Sequence, residues 1–191
     1  MNTLEAIASR RSVRKFKPVP IEEEKLKAVL SAAAQAPSGK NRQPWRFIVV
    51  KKDKRADMVR ILKEGITNSK SRGEEIGSSE WTAKVMEQAP VTVFIFNPQG
   101  LRPWQVHSTG QMFDDVVDIQ SIGASIQNML LAAQDLGIGS LWMCDVFYAY
   151  EELSVWLGEE GEMIAAVALG YPAETPAARP RKPLSEIVRV K

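Results

Sequence analysis

The 191-residue sequence holds a single cysteine, Cys144, and a single histidine, His107. One cysteine excludes an intrachain disulfide, so the cysteine content gives no support to secretion. One cysteine with one histidine also excludes a structural zinc cluster and an HExxH metal motif. A Ser-His-Asp triad would need His107, which lies in a stretch rich in proline and glycine with no nucleophile-elbow sequence nearby. These scarcities argue against metal and triad chemistry.

Long apolar runs, a basic charge excess and phosphate-binding glycine motifs are also missing. No run approaches the ~18 apolar residues of a membrane helix, and residues 1–5 lack the basic start of a signal peptide. Lys and Arg total 25 against 23 Asp and Glu, which is too even for a typical nucleic-acid-binding domain. Gly137 and Gly139 form a fragment of a GxGxxG motif, but they follow a helical pattern, the reverse of the required context. We expect a cytoplasmic protein that binds neither membrane nor nucleic acid.

The composition, 45% hydrophobic and 25% charged, is that of a globular chain, and the length fits one domain over residues 1–191. Helical periodicity and capping residues predict helices at 2–9, 21–36, 54–63, 81–88, 119–136 and 150–157. β-rich runs predict strands at 45–51, 91–96, 141–143 and 163–169. Residues 65–80 are predicted to be a mobile connection, and residues 97–114 a long irregular segment. Because strands and helices do not alternate regularly, the pattern predicts an α+β fold.

Two compact basic clusters stand near opposite ends of the chain. The first contains Arg10, Arg11, Ser12 and Arg14, and the second is the Arg-Pro-Arg-Lys run at 179–182. Guanidinium groups and a hydroxyl bind a phosphomonoester through charge-assisted hydrogen bonds. The residues alone also allow a simpler interpretation, in which both clusters are solvated surface.

Four motifs, in the same order along nearly the whole chain, resemble those of the nitroreductase family of flavoproteins. The first is RRSVRKF at 10–16, and the second is APSGKNRQPW at 36–45. The third, GIGSLWM at 137–143, is similar to the family segment that passes the flavin ring. The fourth, GYP at 170–172 followed by RPRKP at 179–183, is similar to the closing motif of the family. The first two motifs together are specific.

The resemblance implies a nitroreductase-like fold with a central mixed β-sheet flanked by helices, in an intertwined homodimer that exchanges C-terminal arms. It implies tightly bound FMN, with NADH or NADPH as reductant. The residues implied to hold the FMN phosphate are Arg10, Ser12, Arg14, Arg179 and Arg181, with Arg11 contributing through its backbone or at the ribityl chain. The residues implied to reach the flavin from the other subunit are Pro37, Ser38, Gly39 and Asn41. The residues implied to lie along the ring are Met143, Cys144 and Asp145, with Lys84 at its pyrimidine side.

The sequence departs from many family members at Cys144 and Asp145, where they have glycine or glutamate. A carboxylate that faced the ring would disfavour a negatively charged reduced flavin. A single small cysteine is expected to be buried and inert, although a reactive thiol is the alternative. Trp104 and His107 lie in the predicted irregular segment, either in a lid over the flavin or on an unrelated surface.

The resemblance implies an oxidoreductase that passes electrons from NAD(P)H to a nitroaromatic or quinone-like acceptor in a ping-pong cycle. No catalytic side chain is expected, because flavin carries the hydride chemistry. Two alternatives stay open at this point. One is a flavin-binding storage or sensor protein with little turnover, and the other is a small basic module that binds polyanions without flavin.

Overall fold

The computed structural model describes residues 2–191. Its helices are α1 Thr3–Ser9, α2 Glu23–Ala34, α3 Lys54–Ser71, α4 Ser79–Gln88, α5 Thr109–Asp135, α6 Tyr150–Leu157 and α7 Leu184–Ile187. Its strands are β1 Arg46–Lys51, β2 Val91–Asn97, β3 Gly139–Met143 and β4 Glu162–Gly170. Short 3-10 turns lie at Gly39–Asn41 and Asp145–Ala149.

The four strands form one sheet in the order β1-β2-β4-β3, with helices packed on it, which confirms the predicted α+β class. Every neighbouring pair of strands is antiparallel, so the sheet of this chain is not the mixed sheet that was predicted. The two helices between β1 and β2 explain why these two strands run in opposite directions. Because α3 and α4 pack against each other as a pair, the chain re-enters the sheet running opposite to β1. The parallel pairing among residues 2–191 is limited to an isolated bridge between Ser12 and Ser140.

The sheet separates two layers of core. Strand β2 is buried at every residue, and its side chains alternate between the layers as a pleated strand requires. Phe94 and Phe96 face a cluster built with α3, α4 and α6, whereas Val93 and Ile95 face a cluster built with α2 and α5. Helices packed on both faces therefore fix the positions of the strands and of the loops that follow them.

Residues 65–71 and 79–80 are helical, so the predicted connection at 65–80 is reduced to residues 72–78. Helix α3 continues through Gly65 to Ser71, and α4 begins at Ser79. A Cβ at Gly65 would lie 2.3 Å from the Cβ of Ala149, so this glycine allows close helix packing and does not end the helix. The polar composition that suggested a loop belongs to the solvent face of α3, while Ile66 on the other face is buried.

Helix α5 begins ten residues before its predicted start, because the Ser108 side chain caps it by accepting a hydrogen bond from the backbone N–H of Gln111. The predicted irregular segment is therefore reduced to residues 98–108. The first helix has the predicted capping box, in which Asn2 and Glu5 bond each other's backbone. Within residues 2–191, no helix has the length and apolarity that crossing a bilayer would require.

Candidate functional site

The basic segment near the start of the chain lies between β3 and the segment that follows β4. The backbone N–H of Val13 donates to the carbonyl of Ser140 at 2.9 Å, and the N–H of Lys17 donates to the carbonyl of Tyr171 at 2.8 Å. A Cβ at Gly139 would lie 3.0 Å from Val13, so the glycine of the third motif lets this segment approach the sheet. The two ends of the chain are thereby brought side by side.

A carboxylate completes this connection. Glu174 accepts hydrogen bonds from the backbone N–H groups of Arg14 and Lys15, at 2.6 and 3.1 Å. The N–H of Ala173 donates to the carbonyl of Lys15 at 2.9 Å. The Glu174 carboxylate thus binds the backbone of Arg14, and among residues 2–191 no ion pair joins it to the Arg14 guanidinium.

A cavity of about 560 Å³ opens where the two basic clusters meet. Its lining includes Arg11 and all five residues that were predicted to hold the phosphate: Arg10, Ser12, Arg14, Arg179 and Arg181. Residues that are about 170 positions apart in the sequence thus line one cavity.

The cavity is strongly cationic. The guanidinium groups of Arg11 and Arg14 donate to backbone carbonyls of their own segment, and among residues 2–191 none of the five arginines pairs with a carboxylate. Burial, then the charges of Arg181 and Arg11, lower the pKa of the Arg10 guanidinium from its ordinary value. Five cations held together without an ion-pair partner among residues 2–191 fit an anion that carries several acceptor oxygens, such as a phosphomonoester.

Helix α4 connects this cavity to the segment after β3. The guanidinium carbon of Arg14 lies 5.5 Å from the ring centre of Trp81, at cation–π distance. Lys84 is exposed one helical turn further along α4. The start of the same helix is bonded to Asp145, whose Oδ2 accepts from the hydroxyls of Ser78 at 2.6 Å and Thr82 at 2.7 Å. Helix α4 thus carries Lys84 and contacts both Arg14, predicted at the phosphate, and Asp145, predicted along the ring.

The two unusual residues after β3 differ in their surroundings. Cys144 is exposed, so the expectation of a buried thiol is wrong: β3 ends at Met143, and the next residue lies outside the sheet. Partial withdrawal of the sulfur from water, then the neighbouring carboxylate, raises the pKa of the Cys144 thiol, which makes it a weaker nucleophile at neutral pH. The Asp145 carboxylate accepts hydrogen bonds from the hydroxyls of Ser78 and Thr82, at the start of α4. Met143 is buried, which agrees with a role through its backbone.

The loop of the second motif has an unusual backbone. Lys40, Asn41 and Gln43 all have positive φ, between 49° and 55°. The loop is held on α5: the N–H of Gly39 donates to Ser121 Oγ at 3.2 Å, and a Cβ at Gly39 would lie 2.3 Å from Val117 Cγ1. Such a conformation persists only where its surroundings fix it.

Arg42 anchors this loop, and sequence reasoning missed it. Its guanidinium group pairs with Asp114 at 3.1 Å and with the buried Asp118 at 3.0 Å. Burial raises the pKa of Asp118, and Arg42 opposes that effect. The signal available in the sequence was the spacing of Asp118 and Ile122, which puts a carboxylate on the apolar face of α5.

The structure does not bring this loop to the arginine cavity of its own chain. Helix α1 meets α5 at Gln134, whose side-chain amide donates to Ser9 Oγ at 3.2 Å. The loop meets α5 at Ser121, thirteen residues earlier, which is about 20 Å along the helix axis. Pro37, Ser38, Gly39 and Asn41 therefore lie near the middle of α5, whereas the cavity lies near its C-terminal end.

His107 lies in a partly buried polar cluster, where hydrogen bonds hold it in place. Its Nδ1 is 2.7 Å from Asp115 Oδ2 and its Nε2 is 3.1 Å from the carbonyl of Arg102. These two acceptors, the carbonyl first, raise the pKa of His107. The ring of Trp104 packs edge-to-face against the ring of Tyr150, with ring centres 4.8 Å apart, so segment 98–108 is held against α6.

Comparison with known proteins identifies the family. The model of the Nitroreductase family matches residues 7–171 of this chain. The chain belongs to the nitroreductase family. An NADPH-flavin oxidoreductase from Vibrio harveyi is 28% identical over 98% of this chain and 72% of its own length. An iodotyrosine deiodinase from Thermotoga neapolitana is 25% identical over 94% of this chain and 91% of its own.

Solved structures of nitroreductase type share the fold. A nitroreductase-type structure from Desulfovibrio desulfuricans, in complex with FMN, has a TM-score of 0.76 at 28% identity. The match covers 100% of this chain and 98% of that chain. The family and the nitroreductase-like fold expected from the four motifs are confirmed.

Proposed function

We propose that this chain is an FMN-dependent oxidoreductase that transfers electrons from NAD(P)H to a small organic acceptor, nitroaromatic or quinone-like, in a ping-pong cycle. Membership of the nitroreductase family supports the enzyme class, and relatives that use NADPH or bind FMN support the cofactors. In this cycle one pocket can serve both substrates, because oxidised nicotinamide leaves before the acceptor enters. The relatives differ in the substrates that they are named for, so the acceptor is proposed only as a class.

The arginine cavity carries this proposal. Arg10, Ser12, Arg14, Arg179 and Arg181 would hold the FMN phosphate, with Arg11 contributing through its backbone or at the ribityl chain. The fit rests on two observations, namely the cavity of about 560 Å³ and the absence of paired carboxylates among the described residues around it. A phosphate with nearly two negative charges would offset the mutual repulsion of the arginines.

The ring would lie toward α4 and the end of β3. The backbone of Met143, Cys144 and Asp145 would border it, and Lys84 would present a positive charge to its pyrimidine side. When bound, FMN supplies the hydride chemistry. The chain's own part is to hold the phosphate, to orient the ring, and to place a cation where the reduced ring would carry negative charge.

The second motif would act in the other subunit of a homodimer. Pro37, Ser38, Gly39 and Asn41 lie about 20 Å along α5 from the cavity of their own chain, so they would reach the cavity of a partner. Helix α5 has an exposed apolar face that suits such pairing: Met112, Phe113, Val116 and Ile119. A second chain packed against α5 would bring each loop to the other chain's arginines.

The C-terminal arm would complete the dimer by exchange between subunits. Its apolar side chains are exposed on their own chain: Leu184, Ile187, Val188 and Val190. Strand β1 is at the edge of the sheet, and residues 2–191 provide no further strand to pair with it. An arm from a second chain would cover this edge and bury those side chains.

Cofactor binding tests the phosphate assignment. We expect Arg10→Ala and Arg181→Ala each to weaken FMN binding by about 10- to 100-fold, because each removes hydrogen bonds to a charged group. Riboflavin, which has no phosphate, should bind both variants about as well as the unaltered protein. Arg60→Ala, at an exposed arginine on α3, serves as the matched control. Equal affinity of the unaltered protein for FMN and riboflavin would contradict the assignment.

Steady-state kinetics test the cycle. With NAD(P)H and a quinone varied together, we expect parallel double-reciprocal lines, and intersecting lines would indicate a ternary complex instead. Stoichiometric FMN without NAD(P)H oxidation by any quinone or nitro compound would identify a storage or sensor protein.

A further inference from the structure

We infer that Asp145 is a positioning residue, which fixes helix α4 so that Trp81 holds Arg14 in the phosphate cavity. This inference rests on the proposed function, since it concerns the same cofactor site. It assigns to Asp145 a mechanical role in place of the electrostatic effect on the flavin that its position after β3 suggests.

The first observation is the bonding of the carboxylate. Asp145 Oδ2 accepts from Ser78 Oγ at 2.6 Å and from Thr82 Oγ1 at 2.7 Å. Ser78 precedes the first residue of α4, and Thr82 is one turn into it, so the two bonds fix both the position and the rotation of the helix start. The side chain of Thr82 is buried against the segment that follows β3, which leaves the helix little room to turn.

The second observation concerns Trp81, which lies in the first turn of α4 and contacts Arg14. Trp81 lies between the two bonded residues in sequence and is 45% exposed, so its indole is not held by core packing. The Arg14 guanidinium lies over that indole at 5.5 Å. The same guanidinium lines the cavity and donates to the carbonyl of Ser12 at 3.0 Å. A rotation of α4 would carry the indole away and release Arg14 from one of its two supports.

An electrostatic role and a positioning role of Asp145 predict different effects of substitution. If the carboxylate acted on the flavin through its charge, removing the charge would matter and removing the hydroxyls would not. If it acts through α4, an acceptor oxygen at this place is enough, because both bonds are donated by neutral hydroxyls. Asparagine keeps such an oxygen and loses the charge, whereas alanine loses both.

The test compares FMN dissociation constants and the FMN reduction potential across four variants of the full chain. We expect Asp145→Ala to weaken FMN binding about tenfold, and the double variant Ser78→Ala/Thr82→Val to do the same. Asp145→Asn should restore affinity to within about threefold and leave the reduction potential unchanged. Trp81→Leu added to Asp145→Ala should weaken binding no further, because both act through one contact. Melting temperatures of all variants report whether each folds.

Several results would overturn the inference. One is an Asp145→Asn variant that binds FMN as poorly as Asp145→Ala, and another is a double hydroxyl variant with unchanged affinity. A reduction potential that rises equally in the asparagine and alanine variants, with affinity unaltered, would assign an electrostatic role. Failure of the unaltered protein to bind FMN would remove the proposed function itself. Normal binding in both the unaltered protein and Asp145→Ala would remove this inference alone.

Discussion

Glu162, at the start of β4, gives the protein a stability that should fall as pH rises. Its side chain is buried, and its Oε2 has no hydrogen-bond partner among residues 2–191. Gly100 covers it so closely that a Cβ there would lie 2.7 Å from Oε2. Burial, then the Asp115 carboxylate, raises the pKa of Glu162 to about 7 from an ordinary value of 4.5, although His107 opposes this.

The sign follows from proton binding. Between about pH 4.5 and 7 the folded chain keeps the proton on Glu162, whereas the unfolded chain releases it. Stability from this group is therefore complete below pH 4.5 and is lost as pH rises through 7. At about 1.4 kcal/mol for each pH unit between the two values, the loss is up to about 3 kcal/mol.

Replacing Glu162 by glutamine removes this loss, because the amide stays neutral at every pH. We expect Glu162→Gln and the unaltered protein to have similar free energies of unfolding near pH 4.5, and the variant to be more stable by about 2 to 3 kcal/mol above about pH 7. Urea titrations followed by circular dichroism measure this difference, at one protomer concentration and with FMN in constant excess.

The control variant is Glu160→Gln, at an exposed glutamate two residues earlier, which removes one carboxylate from the surface. The reasoning would be refuted if the difference between Glu162→Gln and the unaltered protein stayed constant from acid to neutral pH. It would also be refuted if the variant lost stability relative to the unaltered protein as pH rose.

Three further substitutions probe close contacts. Gly65→Ala places a methyl group 2.3 Å from Ala149 Cβ and should destabilise the fold by about 1 to 3 kcal/mol in urea titrations. Gly39→Ala collides with Val117 Cγ1 in the same way, so FMN affinity should fall and should recover partly when Val117→Ala is added. Arg42→Gln leaves a buried carboxylate unpaired and should lower the free energy of unfolding by about 3 kcal/mol at neutral pH, where an unchanged value would contradict the ion pair.

Much of the fold could be predicted because local patterns and tertiary packing agree. The capping box of α1, the buried strand β2 and the left-handed Gly158 after α6 all come from residues whose local preference matches their final environment. The arginines were predicted as one group through resemblance, because composition alone favoured a solvated surface.

The remaining features depend on contacts between distant residues. The helical state of residues 65–71 follows from packing of Gly65 on Ala149, which lies 84 positions later. The orientation of Asp145 depends on the hydroxyls of Ser78 and Thr82, which lie 67 and 63 positions earlier. The direction of the strands depends on the pairing of α3 with α4. Local periodicity carries none of this information.

The cavity is formed from the first and the last parts of the chain, and this has a consequence for how the protein acquires its cofactor. During synthesis Arg10 emerges early, but Arg181 and the Glu174 carboxylate that fixes Arg14 emerge only near the end. A nascent chain that lacks residues 174–181 thus has only the first basic cluster, without the second cluster and without the Glu174 bonds that fix Arg14. FMN capture should therefore follow synthesis of the segment from Glu174 to Arg181, and chains that stop before Glu174 should accumulate without the yellow colour of a flavoprotein.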